Sequence, residues 1–64
     1  MQNNVIQTFK HKNRIICYII RNQSGTYETR TGKPSDATCI GWKYETFEDA
    51  QFTAKEYFSN YLNQ

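Results

Sequence analysis

What this chain lacks narrows its chemistry before any element is assigned. It has a single histidine, His11, and two cysteines, Cys17 and Cys39, far apart and without C-x-x-C spacing. His11 stands between Lys10 and Lys12 in an expected turn. No serine or cysteine is brought beside it by spacing, so it reads as a solvated loop residue and no enzyme is expected. One histidine, two distant thiols and scattered carboxylates likewise give no metal-ligand pattern, and no metal is expected. The cysteines are expected as buried free thiols; a cross-strand disulfide would require neighbouring strands and an exported chain. Only Gly25, Gly32, Gly41 and Pro34 punctuate the pattern. The glycines are too dispersed for a phosphate-cradling loop, so no cofactor is expected. No stretch approaches the roughly 20 apolar residues of a membrane span. Met1 to Asn4 has neither the basic flank nor the apolar run of a secretory signal, and a soluble, cytoplasmic protein without a membrane partner is expected.

Aromatic residues are plentiful: five Tyr, four Phe and one Trp in 64 residues. A chain this short forms one domain and hides only about 60% of the surface exposed when unfolded, so each buried ring matters, at roughly 1.5–3 kcal/mol. Arg14 to Arg21 is a β-branched, aromatic run closed by Asn22-Gln23-Ser24-Gly25, which spells a strand and a hairpin turn. Thr26 to Arg30 alternates and supplies the returning strand. Gly32-Lys33-Pro34-Ser35-Asp36 is a loop, and Ala37 to Tyr44 a third strand. Residues 1–13 form either an arm lying on the sheet or, through Val5 to Phe9, an edge strand.

The carboxyl end is the clearest element. Thr46 caps a helix over residues 46–62, with Asp49 three positions on and Glu48 and Asp49 at its positive start. Phe47, Ala50, Ala54, Tyr57, Phe58, Tyr61 and Leu62 form one apolar stripe. The expectation is therefore α+β: a three- or four-stranded antiparallel meander over residues 14–45 with one helix across one face, in the order β-β-β-α. Two assignments of that face are open. In the first, Ile16, Tyr18, Ile20, Tyr27, Ile40, Trp42 and Tyr44 meet the helix, leaving Ile15, Cys17, Ile19, Arg21, Arg30 and Lys43 outward. In the second, Ile15, Cys17, Ile19, Cys39 and Gly41 lie beneath the helix and the strand rings stand outward. Burial of Trp42 and the tyrosines favours the first.

The element order, and the junction Gly41-Trp42-Lys43-Tyr44-Glu45-Thr46-Phe47-Glu48-Asp49-Ala50, resembles the DNA-binding domain of plant ethylene-response factors and the arm-binding amino-terminal domain of phage-type integrases. The likeness is one of fold. It implies a three-stranded sheet as the surface that reads DNA, with the helix behind as support.

Charge is unevenly spread along the chain. Residues 1–44 hold seven cations, Lys10, Lys12, Arg14, Arg21, Arg30, Lys33 and Lys43, against Glu28 and Asp36; residues 45–64 hold four carboxylates against Lys55. A basic sheet and an acidic helix suggest an anionic partner. The expectation is a non-catalytic nucleic-acid-binding protein, accessory or regulatory, in which Lys10, Lys12, Arg14, Lys33 and Lys43 hold phosphates and Arg21 and Arg30 read bases. The rival is a protein-interaction module, an inhibitor, adaptor or homodimer. It would dock through Phe52, which projects about 170° from the apolar stripe, through the uncovered Ile15 and Ile19, or along an open sheet edge.

Overall fold

The computed structural model describes residues 4–32 and 39–64. Strands β1 (Asn4–His11), β2 (Arg14–Arg21) and β3 (Tyr27–Thr31) form an open antiparallel sheet in chain order, and helix α1 (Phe47–Leu62) packs across one face. The β-β-β-α order is as expected. Residues 5–9 belong to the edge strand, paired with β2 from Asn4↔Arg21 to His11↔Arg14. The first hairpin turns on two residues, Lys12 (φ 53) and Asn13 (φ 67), both with the positive φ of a type I′ turn whose twist matches that of the strands. In the second turn Gly25 takes φ 92, and Asn22 closes the loop through its N–H to the Thr26 carbonyl at 2.8 Å.

The expected strand over 37–44 is corrected. Ala37 and Thr38, with Lys33 to Asp36, lie outside the described residues. The segment 39–44 meets β3 at two isolated bridges only, Arg30↔Cys39 and Tyr27↔Tyr44. Three residue steps on β3 thus face five on the returning segment, and the surplus must leave the ladder. Trp42 sits in that surplus and is 78% exposed, against the expectation that it fills the core.

The face assignment is corrected as well. In β2 it is Cys17 and Ile19, both fully buried, that lie beneath Ala50 and Ala54, while Ile16, Tyr18 and Ile20 belong to the opposite face. Register carries the same face across the sheet: Gln7 and Thr29 both pair with Ile19, and Thr31 pairs with Cys17. Tyr27, Ile40 and Tyr44, but not Trp42, follow the other assignment and pack against this core. The physical reason lies in the helix. Its inward centre is two alanines, so the backbone settles close to the sheet and needs modest side chains opposite. Bulky rings go to the margins, as Phe9 against Phe58 (5.7 Å) and Tyr27 against Phe47 (6.1 Å). Two buried side chains stitch the seam: the Thr29 hydroxyl donates to the Ala50 carbonyl at 2.7 Å and the Cys17 thiol to the Ala54 carbonyl at 3.6 Å. Burial pushes the Cys17 thiol up to about 11.

The helix start is as read from the sequence, with the Asp49 N–H donating to the Thr46 side chain at 3.3 Å. No helix among the described residues is long and apolar enough to cross a membrane. Gly32 closes β3 against β2, its N–H donating to the Ile16 carbonyl at 2.9 Å. A Cβ there would collide with the Ile15 carbonyl oxygen. Gly32→Ala is therefore expected to force the two backbones apart and lower stability by about 1–3 kcal/mol. A urea midpoint unchanged from that of the parent chain would contradict this packing.

Candidate functional site

The seven predicted cations do not share one surface. Arg21 pairs in register with Tyr27, on the helix side of the sheet, and lies exposed at its end. Arg30 pairs with Tyr18 on the other side. There its guanidinium holds Glu28, through Nε at 3.1 Å and Nη2 at 2.7 Å to the same oxygen. The expectation that Arg21, Arg30 and Lys43 stand together outward is thus corrected for Arg21, which falls on the opposite side because register matches odd residues of β2 with odd residues of β3. Lys43 is exposed and adds its positive charge at Glu28. Lys33 lies outside the described residues.

The remaining three cations do converge. Lys10, Lys12 and Arg14 are exposed and crowd the tip of the β1–β2 hairpin. A register shift after Phe9 sets Lys10 opposite Ile15, while His11 faces Arg14. Lys10 therefore serves one side of the tip and Arg14 the other, with Lys12 in the turn. Among the described residues the Arg30–Glu28 contact is the salt bridge present, and Lys10, Lys12 and Arg14 take no part in one. The helix explains why. His11 stacks edge-on against Tyr61, centroids 6.2 Å apart, so the tip adjoins the helix's last turn. Glu48 and Asp49 sit in the first turn, about 20 Å away along the axis. Glu56 projects about 140° around the helix from Tyr61.

Between tip and helix end lies an open cleft of about 350 Å³, lined by His11, Lys12, Tyr61, Leu62 and Gln64. The helix's last turn has no basic residue of its own, and the hairpin brings positive charge to that negative pole. His11 is the residue the sequence reading misplaced. It is a half-buried strand residue, not a loop residue, and its place two residues after Phe9 and four after Gln7, which both face the helix, was the available signal. Tyr61 read as core and is a cleft wall.

The rival's residues also divide. Phe52 is 64% exposed, as the wheel predicts, and Ile15 is exposed, but Ile19 is wholly buried under the helix and presents nothing to a partner. On the face without the helix, Ile16 and Ile20 are nevertheless buried. The same face holds the buried acid Glu28, opposite Ile20 in register. Burial alone would push its carboxyl up. Hydrogen bonds from Asn22 and Arg30, and the charges of Arg30 and Lys43, outweigh this and hold it below its usual value.

No group of three or more potential metal ligands occurs among the described residues. No protein-family model, curated protein or solved structure matches the chain.

Because the folded carboxyl of Glu28 titrates lower than the unfolded one, its contribution is present above the unfolded value and is lost as pH falls through the folded one. The stability gap between the parent chain and Glu28→Gln is expected to be widest above about pH 4.5 and to narrow under more acid conditions. Urea denaturation across that range reads it, and a gap independent of pH would contradict the assignment.

Proposed function

We propose that this chain is a small non-catalytic nucleic-acid-binding protein whose contact surface is the tip of the β1–β2 hairpin. One observation carries the reading: Lys10, Lys12 and Arg14 gather at one end of the molecule with no carboxylate partner among the described residues, remote from the helix's acidic start. Cations left free in this way neutralise phosphates and release counterions, a sequence-independent contribution to binding. The reading shifts the contact from the sheet face to the hairpin. Arg30 is committed to Glu28, and a buried carboxylate with two buried isoleucines makes that face a poor match for a phosphate backbone.

Three phosphate contacts imply that affinity falls about 20- to 40-fold between 50 and 200 mM salt. Lys12→Ala together with Arg14→Ala is expected to flatten that slope, whereas Arg30→Ala leaves it unchanged. Fluorescence anisotropy titrations with labelled DNA and RNA measure both. Absence of binding at low salt would end the reading.

The protein-interaction reading keeps a specific observation of its own, since Trp42 and Phe52 are the most exposed large hydrophobic residues described, at 78% and 64%. Isolated exposed rings of this kind anchor protein partners when they enter a pocket. If Phe52 holds a dimer together, Phe52→Asp converts it to monomer in analytical ultracentrifugation. A parent chain that is already monomeric at high concentration removes self-association from consideration.

A further inference from the structure

Resting on that proposed function, we infer that the cleft between the hairpin tip and the last turn of α1 receives one unpaired nucleobase, with its flanking phosphates on Lys12 and Arg14, so that single strands are preferred to duplex. The cleft walls differ in chemistry from one another. His11 and Tyr61 present rings at 73° to each other, and Leu62, 47% exposed, adds an apolar surface. A flat aromatic ligand can stack on one ring while the edge of the other bounds it. Gln64 contributes an amide that both donates and accepts, as base edges do. At about 350 Å³ the space lies at the small end of ligand sites, roughly 300–1,000 Å³, and suits one base with part of its sugar but not a base pair.

The polarity of the cleft selects how such a ligand lies. The helix end is a negative pole, and two of its last-turn carbonyls, those of Ser59 and Tyr61, already accept from the Asn63 and Gln64 N–H groups. An anion placed against that end is opposed by the pole. A neutral base, with ring or exocyclic N–H donors, is favoured there. The opposite wall carries Lys12, and beside it Arg14 pairs with His11 in register, so phosphates belong on the hairpin side. A stacked duplex cannot divide itself between the two walls, because its bases are turned inward and held in pairs.

The test uses the full chain with a fluorescein-labelled oligothymidylate and a labelled duplex of equal length, titrated by anisotropy at low salt and again at 200 mM. The single strand is expected to bind about tenfold more tightly than the duplex. Tyr61→Leu is expected to remove that preference, leaving duplex binding and its salt dependence in place; Gln64→Ala, an exposed position, is expected to weaken the single strand alone. Because Tyr61 is half-buried, ring resonances of Tyr61 and His11 in the parent chain are followed by NMR during the same titration, and both are expected to shift. Equal affinity for the two nucleic acids, or ring resonances that stay fixed while the strand binds, overturns the cleft while the hairpin contact stands. No binding of either nucleic acid at low salt overturns the hairpin contact as well.

Discussion

The close seating of α1 on β2 and β3 is the constraint from which the rest of this structure follows. Ala50 and Ala54 are fully buried against Cys17 and Ile19, and the Thr29 and Cys17 side chains reach the carbonyls of those same two alanines, one helical turn apart. A helix held that near the sheet leaves no room for rings along the seam. Phe9 with Phe58 closes one side; Tyr27 with Phe47, and Tyr44 bonded to Thr53 at 2.7 Å, close the other. The large side chains thus form a wall around a narrow core of small ones. In a 64-residue chain this spends aromatic area on sealing the margins, where each ring still removes apolar surface from water.

The same seating sets the electrostatics. Once Phe9 and His11 are drawn against Phe58 and Tyr61, the first hairpin must end beside the helix's carboxyl terminus. Cations of the hairpin then meet the negative pole of the helix, while Glu48 and Asp49 stay at its positive start. Charge is consequently separated along the length of the molecule and not between the sheet and the helix. On the uncovered face the opposite solution operates, where Glu28 is buried yet ionised because Asn22 and Arg30 satisfy both of its oxygens. Arg30 is therefore a structural cation, and Lys10, Lys12 and Arg14 are available to a partner.

Local signals in the chain were legible where they depended on neighbours in sequence. Thr46 and Asp49 marked the helix start, the Asn22-to-Gly25 cluster marked a turn, and the spacing of Phe52 marked an exposed ring; each holds in the structure. The strand Asn4–His11 was readable only as an alternative, because Gln7, Phe9 and His11 mix polar and apolar residues on the face that meets the helix and a register shift between Val5 and Gln7 breaks the alternation. Parity in β2 was not legible at all. Every position from Ile15 to Ile20 is apolar, and Ile16 and Ile20 are buried on one face while Cys17 and Ile19 are buried on the other. A strand buried on both faces carries no period from which to choose.

The strand Arg14–Arg21, the turn after it and the helix cap were determined by the sequence alone, since turn residues, β-branched runs and a capping side chain act within a few positions of themselves. The grouping of charge was decided by tertiary structure. Arg21, Arg30 and Lys43 were expected together on the open face, but register turns Arg21 to the helix side and a carboxylate two residues away takes Arg30. The cleft at His11 and Tyr61 likewise exists only because a strand and a helix fifty residues apart are brought together. Cross-strand register and helix docking act at a distance in sequence, and a one-residue slip in strand register would have turned the side chains of that strand to the opposite face.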